Sequence, residues 1–333
     1  MSSPDVIVIG AGVLGLSSAM TLAARGHAVT VVDPGGANAS SVAAGMIAPA
    51  METLGDLKGG ADHGALFQAA ANLWPDFAGQ FGIALHREGA AWCGGDAAEV
   101  LAALVERGFE ARLNGGEVFV PGEARVDAAA VLSTLAGEVV MQTGQATRIA
   151  RDGDGWAVTL DDGERVTARQ VVVATGVGVT INGPLSLEAL TGLVTPIKGQ
   201  LAFTPVRLTA HVVRGEAGYV APAGSGSVIG ATMQAGVSDL TVDVPAGEAL
   251  VRGCLAMIGA DEAPPLEWRV GVRGASPDGL PMAGMIEPGL HLALAPRRNG
   301  WLLGPLVGSV VADGVEGRAP GDWAATLDPL RFG

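Results

Sequence analysis

An α/β chain, α+β overall, is the fold class this sequence predicts: a parallel-sheet unit at its amino-terminal end, joined to antiparallel sheet further along. Three observations predict it. A run of β-branched residues, Val6-Ile7-Val8-Ile9, leads into Gly10-Ala11-Gly12-Val13-Leu14-Gly15 and then into an Ala/Leu/Ser-rich stretch of helical composition. Three short apolar runs between 145 and 168 are separated by Asp-Gly turns, as in an antiparallel meander. Pieces of 198–273 alternate apolar and polar residues, the pattern of a sheet with one covered face. The chain has 333 residues, 49% hydrophobic and 16% charged, which is material for two domains or one large α/β unit and excludes a disordered chain. Its 51 glycines are about twice the average share without a Gly-X-Y period, so many tight turns and close approaches of backbone to a ligand are expected.

The amino-terminal element comes first. Residues 6–24 carry no charge and are long enough on paper to cross a bilayer. Gly10, Gly12 and Gly15 interrupt the run and its period changes midway, so a buried strand followed by a buried helix explains it better. No basic n-region of a signal peptide precedes it, and a cytoplasmic protein without membrane contact is expected. In a strand–loop–helix of this kind Gly10 permits the tight turn, Gly12 lets a pyrophosphate approach the backbone, and Gly15 lets helix and strand pack closely. The helix N-terminus offers unpaired N–H groups to phosphates. The helix runs to Arg25 and stops at Gly26, a residue suited to the position after a helix. A second strand, 28–32, ends in Asp33, placed to accept hydrogen bonds from ribose hydroxyls. Strand, loop, helix, strand and acid in this order predict a Rossmann-like dinucleotide-binding unit. Residues 34–49 are small and turn-rich, suited to a loop and helix start held against phosphates and a ring system, with Ser40 or Ser41 as the N-cap.

Further along, 85–93 reads as a strand, 97–107 as a helix stopped at Gly108, and 127–135 as a second helix. The meander 145–149, 156–160 and 164–168 follows. A buried strand 170–173 then ends in Ala174-Thr175-Gly176, residues small enough for a neighbouring nucleotide. The alternating pieces are 201–203, 211–214, 219–221 and 227–230, followed by a helix 246–259, a strand 290–294 and a Gly/Ala-rich helix to about 313. No repeat or second GxGxxG occurs.

A net charge of −14 and pI near 4.7 argue against a nucleic-acid partner, since no broad basic face is on offer. Cys93 and Cys254 make no disulfide framework and lack metal-ligand spacing, so a reducing compartment and no metal are expected. His27, His63, His86, His211 and His291 are scattered and read as surface or structural. No Ser-His-Asp or Cys-His set is found.

Seven motifs together carry a resemblance: Val8-Ile9-Gly10-Ala11-Gly12-Val13-Leu14-Gly15, Ser40-Ser41-Val42-Ala43-Ala44-Gly45-Met46, Val172-Val173-Ala174-Thr175-Gly176, Gly218-Tyr219-Val220-Ala221-Pro222, Gly230-Ala231-Thr232-Met233, Gly271-Val272-Arg273 with Pro277-Asp278-Gly279-Leu280-Pro281, and Arg298-Asn299-Gly300. In this order the chain resembles the FAD-dependent D-amino-acid oxidase family, and within it the glycine-oxidase branch that serves thiamine biosynthesis in many bacteria. The resemblance implies a discontinuous FAD-binding domain, 1–84, 136–197 and 266–333, and an antiparallel-sheet substrate domain, 85–135 and 198–265. It implies non-covalent FAD held by Gly10, Gly12, Val13, Leu14, Gly15, Asp33 and Pro34. Ser40, Ser41, Ala44, Gly45 and Met46 would lie along the pyrophosphate and flavin, Ala146 near the adenine, and Ala174, Thr175 and Gly176 beside the nucleotide. Pro296, Arg297, Arg298, Asn299, Gly300, Trp301 and Leu302 would contact the ring system. Arg273 and Tyr219 would hold a substrate carboxylate, with Arg298 and Met233 also reaching the substrate. The chain departs from the branch at Ala295-Pro296-Arg297, where relatives read Gly-His and an aromatic, and at Gly274, where they read proline.

The implied reaction is oxidation of a small amino acid or amine, with hydride passing to flavin N5 and oxygen as acceptor, giving an imine or 2-oxo acid and peroxide. A same-fold dehydrogenase serving a quinone or carrier is the alternative, and a non-catalytic FAD-binding scaffold a remote one; a homo-oligomer is compatible with either. The cofactor carries such chemistry and little is needed from side chains. Arg273 stands out because a guanidinium fixes a carboxylate through two parallel hydrogen bonds. Arg269, four residues earlier on the same strand face, is its natural control. Tyr219, the one tyrosine of the chain, needs a partner for its hydroxyl if buried.

Overall fold

The computed structural model describes residues 4–58 and 60–333. Its first layer is a six-stranded sheet in the order Met282–Glu287, Leu290–Leu294, Gln170–Val173, Val6–Ile9, Val29–Asp33, Val140–Thr143. Strand Val6–Ile9 lies at the centre, buried on both faces as its β-branched run predicts, and pairs in parallel with Gln170–Val173 and Val29–Asp33. This pairing sets Ile9 opposite both Val173 and Val32. The Gly10 loop, the end of Asp33 and Ala174-Thr175-Gly176 therefore emerge at one edge of the sheet, the position where open α/β sheets bind ligands.

Helix Val13–Ala24 follows the loop and ends before Gly26, whose φ of 93° suits the left-handed position after a helix. It packs against the long helix Gly300–Glu316, which runs past the expected end near 313 to Gly317. Contact between the two is close because Gly304 and Gly308 face Ser17 and Thr21. The expected serine cap at 40 or 41 is instead Asn38, whose side chain accepts from both Ser40 N and Ser41 N at 3.0 Å. Ser41 completes a capping box by accepting from Asn38 N. The short helix Ala39–Val42 thus leaves the Ser40 hydroxyl free for another partner.

A three-stranded antiparallel meander, Ala146–Asp152, Gly155–Leu160 and Arg165–Ala168, covers one face of the parallel sheet. The second layer is a nine-stranded sheet drawn from 90–120 and 195–275. It is mixed rather than purely antiparallel: Val212–Gly215 runs parallel to Ala90–Cys93, a direction that alternation alone cannot encode. The expected strand 85–93 shortens to Ala90–Cys93, since Gly89 takes a φ of 73° and His86 bridges to Arg125 instead. Strand Glu267–Ala275 pairs antiparallel with Thr195–Thr204 and crosses helix Ala39–Val42 at Gly271, where a Cβ would meet Ala39 at 3.2 Å. Helices Pro49–Lys58 and Gly64–Gln80 fill the space between the layers and were not foreseen from the sequence. Among the described residues no helix is long and apolar enough to cross a membrane.

Candidate active site

Two chambers meet between the layers, one of about 500 Å³ and one of about 440 Å³, and share Ala39, Ala43, Gly271, Arg273, Arg298 and Trp301 in their walls. The larger opens on the sheet edge. Gly10, Gly12, Val13, Leu14, Asp33, Ser40, Ala174, Thr175, Gly176, Pro296, Arg297 and Gly300 all line it. Gly10, at φ 110°, lies so close to Ala174 that a Cβ would come within 2.8 Å of its carbonyl carbon. The first helix begins at Gly12 with no side-chain cap and no acid in its first turn. Its Val13 N–H donates to Ser40 Oγ at 3.0 Å. Asp33 accepts from Ala11 N and Gly35 N, both at 2.7 Å, which fixes its carboxylate at the chamber wall. A helix N-terminus with no acid in its first turn, glycine at the closest approach and an acid one strand away are the parts a dinucleotide needs.

The smaller chamber lies under the large sheet and is lined by Ala44, Gly45, Met46, Tyr219, Met233 and Asn299 among the expected residues. Asn299 is buried and its Oδ1 has no partner among the described residues, as an acceptor held for a bound ring system would be. Five expected residues line neither chamber. Gly15 packs on the Gly10 carbonyl, which is the helix–strand approach expected of it. Pro34 is exposed beyond Asp33, and Ser41 is spent in the capping box. Ala146, the first residue of the meander, is buried in the core it forms with the parallel sheet, and the Leu302 carbonyl accepts from Trp74 Nε1 at 3.2 Å.

Arg273 and Tyr219 arrive from different strands and face the same space. Glycine makes room for each. Arg273 lies flat across Gly199 of the neighbouring strand, and the Tyr219 ring lies over Gly230, its cross-strand partner. Among the described residues Arg273 has no carboxylate within ion-pair distance; its one contact is to Thr232 O at 3.4 Å. Burial lowers the proton affinity of its guanidinium, against the pull of Tyr219 and Glu52. Burial likewise pushes the Tyr219 phenol up, so it stays protonated, and its hydroxyl makes no hydrogen bond among the described residues. Arg269 points elsewhere: it is exposed, pairs with Glu267 at 2.9 Å and stacks on Phe203.

The remaining charges were not foreseen. Glu52, on helix Pro49–Lys58, pairs with Arg214 at 2.8 Å through one oxygen and with Arg298 Nε through the other. Asp56, one turn on, lies 3.8 Å from Arg298. Burial alone would raise Glu52, but the two arginines outweigh it and hold the carboxyl below its usual range. Behind it the buried Glu123 accepts from Ala50 N at 2.8 Å and from Met51 N at 3.4 Å; burial pushes its carboxyl up to about 8. One signal for Glu52 was present, since it is the single charged residue between Asp33 and Asp56. Arg214 offered none.

Neither cysteine lines a chamber: Cys93 donates to Glu117, and Cys254 is buried against Ala217. His63 pairs with Asp56 at 2.7 Å and His27 with Glu316 at 3.2 Å, and His291 is buried beside Gln170. Among the described residues no His/Cys/Asp/Glu cluster could hold a metal.

Comparison with known proteins places this geometry. A relative in Geobacillus kaustophilus, glycine oxidase, is 30% identical over 94% of this chain and 93% of its own. The crystal structure of glycine oxidase from that organism superposes with a TM-score of 0.79 at 26% identity, covering 98% of each chain. A bifunctional tRNA 5-methylaminomethyl-2-thiouridine biosynthesis protein of Caulobacter sp. is 28% identical over 98% of this chain, which spans 57% of that longer protein. The sequence profile of the FAD dependent oxidoreductase family DAO matches residues 5–314. A profile of that extent, over a fold whose chambers suit a dinucleotide and a small anion, shows that the chain belongs to the FAD dependent oxidoreductase family.

Proposed function

We propose that this FAD-dependent enzyme oxidises the C–N bond of a small free amino acid whose carboxylate is held by Arg273, with molecular oxygen as the final acceptor. One observation carries the reading: Arg273 faces the smaller chamber with no carboxylate of its own. A guanidinium left unpaired in a largely buried site is costly unless a ligand supplies the anion. The hydroxyl of Tyr219, also without a hydrogen-bond partner among the described residues, donates to the same carboxylate. Held along Gly12, Ser40 and Asn299, FAD would supply the hydride acceptor for the carbon next to the amine. The chain's part is to orient that carbon by gripping the carboxylate at two points and to exclude water.

The chamber of about 440 Å³ is lined by residues expected at the flavin ring, Gly45, Met46 and Asn299, as well as by Arg273 and Tyr219, so it would hold ring system and substrate together. Glycine oxidase among the relatives supports a small amino acid, and the place in thiamine biosynthesis implied by the resemblance goes with that substrate. The tRNA-related relatives raise the possibility of an amine carried on RNA. A net charge of −14 disfavours it, because a polyphosphate would be repelled. The test is anaerobic mixing of the yellow holoenzyme with glycine, sarcosine, D-alanine, D-proline and larger amines. Bleaching by the small amino acids, then peroxide on admitting air, is expected. Bleaching only by amines lacking a carboxylate would overturn the reading.

A further inference from the structure

The cations around the smaller chamber are unequally matched. Arg214 comes from strand Val212–Gly215 and Arg298 from the segment before helix Gly300–Glu316. Both converge on Glu52, whose side chain is 8% exposed and engages one arginine with each oxygen. Asp56 sits four residues further on the same helix, so its carboxylate falls on the same face and reaches Arg298. Two arginines and two carboxylates thus form a cluster that is formally neutral. Arg273 stands outside it, and Glu216, at the rim, is exposed. Gly55 lies between the two acids on the helix, where a side chain would displace the Arg298 guanidinium.

We propose that Glu52 is a specificity-determining residue: by occupying Arg214 and Arg298 with one carboxylate, it leaves Arg273 as the chamber's single address for an anion and restricts the substrate to monocarboxylates. The inference rests on the reading that Arg273 binds the substrate carboxylate. A second carboxylate on the substrate would meet arginines already engaged and a fixed negative charge between them. Such like-charge opposition is how sites reject wrong partners. Replacing Glu52 by glutamine keeps the shape and removes that charge, leaving Arg214 without its carboxylate and Arg298 with Asp56 alone. The site then gains an address for a second carboxylate.

The test uses holoenzyme and two anions that are not oxidised, acetate and malonate, titrated at pH 7 against the flavin absorbance. In E52Q the preference for malonate over acetate should rise by about ten- to a hundredfold, the scale of one charge in a partly screened site. The ratio of kcat/KM for iminodiacetate over glycine should rise with it, a change a merely structural role would not produce. R214M removes a cation while Glu52 stays, so it should shift the malonate preference the opposite way. E52Q/R214M, neutral again, should return to the wild-type ratio. If E52Q does not fold, the R214M shift decides alone. An unchanged anion ratio in R214M or E52Q, or no binding of either anion to the wild type, overturns the proposal. Wild-type protein that binds acetate selectively but is bleached by no amino acid would instead refute the proposed reaction and leave the selectivity argument standing.

Discussion

Arg273 can lie in the chamber only because the strand beside it carries glycine at 199. Replacing Arg273 with methionine keeps the apolar stem and removes the charged fork. A carboxylate substrate should then lose about 2–5 kcal/mol of binding in a desolvated site, a fall of roughly 30- to several-thousand-fold in kcat/KM. R273K should recover only part, since a point charge cannot reproduce the fork. R269M, at an exposed residue outside the chamber, should leave steady-state kinetics nearly intact. Equal losses in both variants would make Arg273 a structural residue. Gly199→Val tests the same site from below: its side chain would occupy the guanidinium's place, raising KM by about tenfold or more while the flavin spectrum survives. A variant that keeps its KM would show that Arg273 is held from elsewhere. At this scale the sequence was partly legible. Arg273, Tyr219 and Arg298 sit in short motifs whose order could be read. Glu52 and Arg214 lie far apart in the chain, and only the meeting of a helix and a strand brings them to 2.8 Å.

Among the elements, the pair formed by helices Val13–Ala24 and Gly300–Glu316 links the fold to the site. One helix begins at Gly12 and Val13, in the wall of the larger chamber, and the other begins at Gly300 and Trp301, in the same wall. Their approach depends on Gly308, where a Cβ would lie 2.7 Å from the Ser17 carbonyl oxygen and 2.8 Å from Thr21 Oγ1. Backbone cannot yield as a side-chain tip can, so Gly308→Val should cost about 1–3 kcal/mol or more. Thermal melts should show a lower Tm, and equilibrium dialysis weaker FAD retention, because both chamber walls move with the helices. An unchanged melt would mean the helices separate without penalty. The legible elements are those that carry their own signals: Asp127 caps its helix from one residue away, and Gly26 ends the first helix. Helix Pro49–Lys58 was illegible because its first turn is satisfied by Glu123, 73 residues from Ala50. Helix Gly64–Gln80 carries Pro75 in its interior, which reads as a break.

On the scale of the whole molecule, two buried titrating groups tilt the pH dependence of stability in opposite directions. Glu123 has its carboxyl raised by burial from 4.5 to about 8. Between these values the folded chain keeps a proton that the unfolded chain has released, so stability falls as pH rises through that window. His291 is the reverse case. It is fully buried, its Nε2 lies 2.9 Å from Gln170 Oε1, and burial lowers it from 6.5 to about 4. Below 6.5 the unfolded chain takes up a proton that the folded chain refuses until about pH 4, so stability falls as pH drops through that window. Each group contributes a slope of up to about 1.4 kcal/mol per pH unit inside its own window. Denaturant midpoints should therefore stay nearly level from pH 4.5 to 6.5, where the two slopes oppose each other, and fall from 6.5 to 8, where Glu123 acts alone. E123Q keeps an acceptor for Ala50 and should flatten the curve above pH 6.5 while uncovering the His291 slope, a fall as pH drops below 6.5. H291Q keeps a donor for Gln170 and should leave a fall that begins near pH 4.5, because Glu123 is then unopposed; Glu52, whose carboxyl the arginines hold below its usual 4.5, adds its loss only at lower pH. Curves for the two variants that run parallel to the wild type would show that neither group is held in its unusual state by the fold.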